Sequence, residues 1–269
     1  MHALLFLHDL PSTLVYGVFM GVAGGSAALA CVLLAPLVRA PQTKETLDVA
    51  MRTGGAITAA LTLTLAFCAV QARGQMADAQ RLVQAEANAI AGLARMADRL
   101  GPPGQALLPA LAAYLGDVAG TEFRTMARQG RDGATQDHAE ALENAVYVAA
   151  TTLSDSLAAD LIDQADQVEA TREARLQAAS AALPMQFWVL ILLLGGLLVA
   201  TGPLYPARVH VVAMLGIQAA ALGALVAFVF LMDQPFRGQL TVAAEPYRAV
   251  ERSLAHRGSV VRPARQVSH

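Results

Sequence analysis

The chain has 269 residues, of which 55% are hydrophobic, 15% charged and 5% aromatic, and its formal net charge is −2. Soluble domains carry about 25% charged residues, so this composition, with a mean hydropathy of +0.46, indicates a membrane protein. The charge excludes a nucleic-acid partner, because a domain that binds phosphates needs a basic surface. Cys31 and Cys68 both lie inside apolar runs, where we expect small buried residues and no disulfide.

Four apolar runs are long enough to cross a bilayer, which takes roughly 20 residues of helix. We predict transmembrane helices over residues 14–38, 54–70, 187–204 and 209–232. No basic segment precedes the first run, and its apolar stretch is longer than that of a signal peptide, so we expect this helix to be retained. The predicted fold is therefore an all-α polytopic membrane protein with four transmembrane helices.

The four spans form two hairpins that a long middle segment separates. We expect an N-terminal segment over 1–13, a hairpin over 14–72, a helical cytoplasmic bundle over 73–185, a second hairpin over 186–233 and a cytoplasmic tail over 234–269. Both termini and the bundle then lie on one side of the membrane, which the distribution of basic residues near the span ends identifies as the inside. The basic residues on that side are Arg73, Arg81, Arg172, Arg175, Arg237, Arg248 and Arg252, against Arg39, Lys44, Arg52 and Arg208 on the other. The predicted location is the bacterial inner (plasma) membrane, with cytoplasmic N- and C-termini.

Helical periodicity dominates the middle segment. Core-type residues recur at alternating spacings of three and four with no helix breaker before them, which predicts one long helix from about Gly55 to Leu100. The sequence GPPG at Gly101–Gly104 ends that helix, and a second helix passes through Tyr114. A third long helix is predicted from His138 to Ala182, before Pro184 at the membrane surface.

The second span contains the best candidates for residues that line a pore. Thr58, Thr62, Leu65 and Ala69 recur at helical spacing, and hydroxyls and small side chains on one face could line a narrow, partly dry conduit. Alternatively, the threonines bond carbonyl groups of their own helix and the alanines simply pack.

Small residues in the first and last spans predict close contacts between helices. Gly17, Gly21 and Gly25 are spaced four apart, and Gly216 and Gly223 belong to a similar series in the last span. We expect both series to be packing faces. Gln218 is a polar side chain deep in the last span, and we expect it to bond a neighbouring helix.

The last span ends in the sequence DQPFRG, Asp233 to Gly238. An aspartate at a helix C-terminus opposes the helix dipole, so Asp233 needs a partner, either Arg237 or nearby backbone N–H groups. Pro235 ends the helix, Gly238 permits a left-handed step and Phe236 can anchor in the membrane interface. We interpret the motif as a structural corner, and the alternative is a ring of aspartates at the mouth of an oligomeric channel.

Glu86 interrupts the apolar stripe of the long helix at a position where a hydrophobic residue is expected. A buried carboxylate must be paired or neutral. With Asn88 it could face a central axis or bind a cation, or it could bridge to Arg172 or Arg175. We favour the bridge.

The sequence contains no motif that indicates an enzyme. It lacks the common zinc-protease, nucleophile-elbow and phosphate-loop patterns, and we expect no enzymatic activity, cofactor or metal site. Five acidic residues in the third long helix cannot converge on one calcium ion from a straight helix, so we expect a solvated face. These residues are Asp155, Asp160, Asp163, Asp166 and Glu169.

Three motifs resemble the bestrophin-like family of bacterial and plant membrane proteins. The first is the triplet Glu86–Asn88, followed by the GPPG break and a helix that ends at Tyr114. The second is an arginine-bearing helix followed by Leu-Pro and Trp188, and the third is the D-x-P-F-x-G pattern of Asp233–Gly238 with EPYRA after it. The order and spacing of these motifs over most of the chain are similar to those of the family.

The resemblance implies kinship to bestrophins, which are homopentameric anion channels whose second transmembrane helix lines the pore. It therefore implies a homo-oligomer, a pentamer, that lies in a lipid bilayer and passively conducts inorganic ions, anions in particular. The alternative function is a non-conducting membrane scaffold or sensor whose cytoplasmic bundle recruits a partner. In that case the face of Thr58, Thr62 and Leu65 would be packed and dry.

Overall fold

The computed structural model describes residues 7–8, 10–34, 43–238 and 241–261. These described residues form helices and no strand, which confirms the predicted all-α class. Four of the helices are long and apolar enough to cross a membrane, as predicted. They are Ser12–Leu33, Lys44–Arg99, Met185–Leu204 and Val209–Met232.

The chain divides into two compact units, the membrane unit and the bundle unit. The membrane unit comprises Met1–Gly74 and Ala182–Leu240, and the bundle unit comprises Gln75–Ala181 and Thr241–His269. Helix α2, Lys44–Arg99, contributes residues to both units.

The membrane unit contains α1 (Ser12–Leu33), the first part of α2, α8 (Met185–Thr201) and α9 (Val209–Met232). A short 3₁₀ turn, Gly202–Leu204, follows α8. Helix α1 packs along α9, and α2, α8 and α9 share a second apolar core. Proline precedes the first residue of both α1 and α8, where its fixed φ and missing N–H are compatible with a helix start.

The bundle unit contains the rest of α2 and six further helices joined by short connections. They are α3 (Pro102–Gln105), α4 (Leu108–Asp117), α5 (Phe123–Gln129), α6 (Gly133–Ala150), α7 (Asp155–Ala179) and α10 (Glu245–Val261). A π-helical turn, Val118–Glu122, links α4 to α5. Gly101 and Gly130 have φ of 66° and 72° at two of the connections, where a left-handed backbone favours glycine.

Helix α2 begins at Lys44, eleven residues before the predicted start at Gly55. The Thr43 hydroxyl accepts a hydrogen bond from the N–H of Thr46 at 3.2 Å, which caps the helix. The prediction was wrong because it placed the helix start at the edge of the apolar run, whereas the polar turns before that run are also helical. The predicted end of the first span at Val38 lies outside the described residues.

The predicted third long helix, His138 to Ala182, is also wrong, since the structure has two helices there, α6 and α7. The hydroxyls of Thr151 and Thr152 bond the carbonyls of Val148 and Ala149 at 2.7 and 2.8 Å at the break. Threonine and serine hydroxyls compete with helical hydrogen bonds in this way. The chain can therefore turn here without the glycine or proline that the prediction required.

Candidate pore helix and buried polar network

One face of α2 packs against other helices of the membrane unit. Leu61, Leu65 and Cys68 are buried and pack in one apolar cluster with Ile191 of α8 and Leu222 of α9. Burial of this apolar surface fixes the rotation of the helix about its own axis. The opposite face of α2 is therefore left uncovered by the helices of its own chain.

The four residues predicted to line a pore lie in different environments. Thr62 is exposed, Thr58 and Ala69 are half-buried, and Leu65 is only 2% exposed. Leu65 lies between Leu61 and Cys68 on the inward side of the helix, so its assignment to an outward face is corrected. Leu65 follows Thr62 by three residues, which places it about 60° away around the helix axis, on the side that packs against α8 and α9.

The uncovered face of α2 carries Thr62 among apolar side chains. Leu63 is 73% exposed, and Ala66, Phe67 and Val70 are exposed as well. Contiguous apolar surface of this kind must contact lipid or another protein chain. Thr62 brings a hydroxyl group to this face within the span.

Thr58 has a partner inside its own chain. The amide nitrogen of Gln218 in α9 donates a hydrogen bond to the Thr58 hydroxyl at 3.2 Å. Gln218 thus bonds a neighbouring helix, which is the behaviour that the sequence predicts for a polar group inside a membrane span.

Glycines make the close contact of α1 with α9, but the predicted set is only partly involved. A Cβ on Gly223 would lie 2.6 Å from the Phe19 carbonyl oxygen, and a Cβ on Gly24 would lie 2.9 Å from that of Gly216. By contrast, nothing lies within 4 Å of a Cβ added to any of the other three predicted glycines. Those three are Gly17, Gly21 and Gly25.

Within the described residues of one chain, Gly17, Gly21 and Gly25 thus contact no neighbouring helix, and their assignment to a packing face stays a prediction. The face of α1 that meets α9 is set by its buried residues Val15 and Ala27, and the three glycines point away from these. Glycine spacing alone identifies a face on which close approach is possible, and it does not identify the neighbour.

The corner after α9 joins the end of the last span to the start of the third. Asp233 is 2% exposed, and its carboxylate accepts a hydrogen bond from the backbone N–H of Leu183 at 2.6 Å. Burial raises the pKa of Asp233, and the Leu183 N–H partly offsets this effect. Of the two predicted kinds of partner, the described contact is therefore a backbone N–H group.

The rest of the corner motif closes the turn within the membrane unit. Pro235 and Phe236 are buried and Arg237 is half-buried. Gly238 has a φ of 93°, and a Cβ there would lie 2.9 Å from the carbonyl oxygen of His8. A ring nitrogen of His8 in turn donates to the Phe230 carbonyl at 3.0 Å, so residues near both termini of the chain meet at this corner.

In the bundle unit, four charged residues form a fully buried ion-pair network. Arg175 of α7 donates to Glu86 of α2 at 2.5 Å and to Glu122 of the π turn at 2.6 Å. Arg172, one helical turn earlier, donates to Glu122 at 2.8 Å. All four side chains are 0% exposed, and two acidic groups face two basic groups. The network therefore carries no net formal charge.

Two tyrosine hydroxyls complete the hydrogen bonding of Glu86. Tyr114 of α4 donates to one carboxylate oxygen at 2.9 Å and Tyr247 of α10 to the other at 2.8 Å. The guanidinium group of Arg175 also lies 5.9 Å from the centre of the Tyr247 ring, within the range of a cation–π interaction. The network thus joins α2, α4, α7, α10 and the π turn.

The ionisation of these groups follows from the pairing. Burial by itself would raise the pKa of Glu122, but hydrogen bonds and charges of Arg172 and Arg175 outweigh it, so this pKa is lowered. Burial by itself would lower the pKa of Arg175, but Glu86 outweighs it and the pKa is raised. Burial and the Glu86 carboxylate both raise the pKa of Tyr247. The arginines and Glu122 are charged, and Tyr247 is neutral, throughout the physiological range.

The structure pairs Glu86 with Arg175 and separates it from Asn88. Asn88 is exposed and accepts a hydrogen bond from Gln84 at 3.0 Å, one turn earlier on α2. Glu122, the second acid of the network, was not among the residues predicted from the sequence. The sequence does contain an indication of its burial. Val118 and Met126, two apolar residues, lie four residues before and four residues after Glu122, on the same face of a helix.

The network is built to position helices, since its carboxylates are occupied by arginine and tyrosine donors. Removal of one partner from such a buried pair is strongly destabilising, because it leaves an uncompensated charge. No group of three His, Cys, Asp or Glu side chains with the geometry to hold a metal ion occurs within the described ranges.

Comparison with known proteins places the chain in a family. Residues 20–247 match the family model described as the Bestrophin-like domain. A bacterial bestrophin homologue from Klebsiella pneumoniae, solved as a variant with one substitution, is 14% identical with a TM-score of 0.65, covering 88% of this chain and 96% of that one. A second structure of that bestrophin homologue is 12% identical with a TM-score of 0.62, covering 89% and 97%.

At these identities the solved structures show a shared fold. No curated protein matches the sequence. The family model, in contrast, covers most of the chain, from within α1 to Tyr247 of the buried network. The protein is therefore a member of the bestrophin-like family, with four transmembrane helices in an all-α fold.

Proposed function

We propose that the protein is an oligomeric channel that conducts anions passively through a pore lined by the outward face of α2. The observation that carries the proposal is the face of α2 around Thr62, which the protein's own helices leave uncovered. Membership of the bestrophin-like family and the fold shared with a bestrophin homologue support the proposal. In an oligomer, this face of each chain turns toward a central axis.

The charges on α2 support selection for anions. No charged residue lies between Arg52 and Arg73, so the membrane part of the helix offers an ion only neutral groups. Thr62, Ala66 and Arg73 are four and then seven residues apart, which places them on one helix face. Arg73 is exposed, and a ring of such arginines at one end of a pore attracts anions.

Chloride flux into liposomes tests the pore. Thr62→Trp is expected to abolish flux from purified protein, because a bulky side chain on the axis-facing surface of every chain closes a narrow conduit. Leu192→Trp in α8 is the matched control, since Leu192 is 71% exposed on a different helix and should tolerate the same side chain. Absence of flux from the unsubstituted protein, or equal flux from both variants, contradicts the proposal.

Substitution of Arg73 tests selectivity separately. Arg73→Glu reverses the charge at the pore end, and we expect it to lower the chloride-to-potassium permeability ratio roughly tenfold. Arg248→Glu, at an exposed arginine of α10, should leave this ratio unchanged. The ratio is read from the reversal potential in a salt gradient, and a ratio that Arg73→Glu does not change argues against the assigned pore face.

We further propose a pentamer in the bacterial inner membrane with cytoplasmic termini. Arg172 and Arg175 are buried in ion pairs, so the surface charge on the cytoplasmic side comes from the other predicted arginines.

The native Cys31 and Cys68 are both buried, which leaves a low background for labelling of an added cysteine. In intact cells, a membrane-impermeant maleimide should label Lys44→Cys and not His256→Cys, and the opposite result would invert the orientation.

A second candidate function is the non-conducting scaffold, in which the bundle unit recruits a partner. The observation that favours it is a group of exposed apolar residues near the turn between α6 and α7. These are Tyr147, Val148 and Leu157, of which Val148 is 69% exposed. The scaffold is favoured over the channel by two results together. The unsubstituted protein shows no flux, and a protein that co-purifies with it is lost in the Val148→Asp variant.

A further inference from the structure

A cavity of about 280 Å³ lies within the membrane unit, among α1, α2, α8 and α9. Its walls come from Gly54 and Gly55 of α2, Leu198 and Thr201 of α8, and Gln218 of α9, with Tyr205 from the connection between α8 and α9. Gln218 lies nine residues into α9, so this wall of the cavity is about 14 Å from the start of that helix. A pocket with mixed apolar and polar walls at this depth is unusual for a simple packing defect.

Two glycines hold the α2 wall of the cavity open. Nothing lies within 4 Å of a Cβ built on Gly55, and a Cβ on Gly54 would lie 3.2 Å from the Tyr205 hydroxyl. The side chain of an ordinary residue at Gly55 would therefore extend into open space. This property makes the cavity testable by one substitution that fills it without displacing a neighbour.

The polar groups of the cavity are neutral and have bonding capacity to spare. Gln218 uses one amide N–H for the Thr58 hydroxyl, which leaves its second N–H and its carbonyl oxygen. The Thr201 hydroxyl donates to the Leu198 carbonyl at 2.7 Å, and its oxygen can still accept. An uncompensated amide in a membrane span is costly, so a ligand that bonds Gln218 is stabilised there.

The lining contains no charged side chain among the described residues that form it. A charged headgroup would have no counter-charge in this site. A hydroxyl group can donate to Thr201 or Gln218 and accept from Gln218 or Tyr205, and a carbonyl group can accept from Gln218 or Tyr205. At ~30 Å³ for a water-sized group, the volume corresponds to about nine heavy atoms. That size fits a medium-chain amphiphile and is too small for a whole phospholipid.

We propose that this cavity binds a small uncharged amphiphile that enters from the bilayer, with its hydroxyl or carbonyl head at Gln218 and Tyr205 and its apolar chain against Leu198 and Leu215. Binding requires no conduction. Failure of the proposed channel function would therefore leave this site intact, and failure of the site would leave the channel intact.

Photolabelling tests the site in the full-length protein in lipid nanodiscs. The probe is a medium-chain aliphatic alcohol that carries a diazirine, and the labelled positions are read by mass spectrometry. We expect the label within residues 198–219, reduced by an excess of unlabelled octanol. Gly55→Leu should reduce this label roughly tenfold because its side chain fills the cavity, and Gln218→Leu should reduce it roughly five-fold through loss of one hydrogen bond.

Ala56→Leu is the matched control, since Ala56 is exposed next to Gly55 but does not line the cavity. It should be labelled as strongly as the unsubstituted protein. If Gly55→Leu does not elute as a folded protein, the labelling of Gln218→Leu alone tests the proposal. Undiminished label in that variant then contradicts it. Label spread over exposed residues outside this window, such as Leu192 and Leu193, equal in all variants and insensitive to octanol, overturns the proposal, as does the absence of label in the cavity.

Discussion

Tyr247 donates a hydrogen bond to the buried carboxylate of Glu86 at 2.8 Å, and this contact joins α10 to α2 across 161 residues of sequence. The Phe123 ring meets the Tyr247 ring edge-on at a centroid distance of 6.0 Å. Tyr247 is fully buried, while most of the residues after it in α10 are exposed or half-buried. Among residues 245–256, Tyr247 is the one fully buried side chain of α10.

Tyr247→Phe removes that hydroxyl and keeps the ring. Because the acceptor is a buried carboxyl group that also pairs with Arg175, we expect a loss of about 1.5–3 kcal/mol of stability. The loss should be largest in α10, so amide hydrogen exchange there should accelerate roughly tenfold or more. Tyr147→Phe, at a tyrosine that is 49% exposed, should change neither the exchange nor the melting temperature. Unchanged protection of α10 in Tyr247→Phe would show that the hydroxyl is not needed to dock it.

The lowered pKa of Glu122 makes the bundle sensitive to acid. Its folded-state pKa lies below the unfolded value of about 4.3. The contribution of ionised Glu122 to stability is therefore fully present above the unfolded-state pKa. It is lost as the pH falls through the folded-state pKa. We expect the melting temperature of the unsubstituted protein to fall on acidification below about pH 4.

Glu122→Gln tests this assignment in two ways. At neutral pH it should destabilise the protein by about 3–5 kcal/mol, because Arg172 and Arg175 lose a buried counter-charge. It should also flatten the dependence of the melting temperature on pH in the acid range. Glu143→Gln, at an exposed carboxylate, is the control and should keep the acid sensitivity; an equally steep acid response in Glu122→Gln would assign that response to other groups.

The sequence predicted a paired Glu86 for a physical reason that the structure retains. A carboxylate in an apolar helix stripe must find a donor, and the arginines of α7 were the candidates that the chain offered. Which arginine pairs with which acid depends on the arrangement of helices that are far apart in sequence. Glu122 and Tyr247 enter the site only because α4, α7 and α10 converge on α2. Periodicity along one helix carries no information about that convergence.

The membrane helices show the same distinction. Their number and apolar character follow from composition, because a bilayer of fixed thickness requires about 20 apolar residues per span. The rotation of each helix about its own axis does not follow from composition. Lipid and the protein interior are equally apolar, so the face toward lipid and the face toward protein look alike in sequence. Leu65 was assigned to the wrong face for this reason, and the spacing of the α1 glycines did not identify their neighbour.

Substitutions at Asp233 separate its hydrogen bond from its charge. Asp233→Leu leaves the buried N–H of Leu183 without an acceptor, and we expect a loss of about 1–3 kcal/mol. Asp233→Asn retains an acceptor oxygen without the charge. Because burial raises the pKa of Asp233, the ionised form is disfavoured in the folded state, and the Asn variant should be at least as stable as the unsubstituted protein near pH 7.

The pH dependence at Asp233 is opposite in sign to that at Glu122. The unsubstituted protein should gain stability relative to Asp233→Asn as the pH falls through the raised folded-state pKa toward the unfolded value of about 3.9. Melting temperatures of the detergent-solubilised proteins across this range provide the measurement. A large loss of stability in Asp233→Asn at neutral pH would show that the negative charge itself is required at the corner.

Alanine at two glycines tests the contact between α1 and α9. Gly223→Ala places a Cβ 2.6 Å from the Phe19 carbonyl oxygen, so the two helices must move apart. We expect a loss of about 1–3 kcal/mol, as is typical of overpacking in a tight interface. The readout is the melting temperature of the detergent-solubilised protein, together with its elution volume.

Gly21→Ala is the matched substitution on α1, where nothing lies within 4 Å of the added Cβ. Within one chain it should be neutral or stabilising by up to about 1 kcal/mol, because alanine favours helix more than glycine does. If Gly17, Gly21 and Gly25 instead form a contact between chains, Gly21→Ala should shift the elution toward smaller species while the fold of each chain persists. The assignment holds that Gly223 lies in the α1–α9 contact and that Gly21 does not. Equal losses of melting temperature in both variants, without a change in elution, would contradict it.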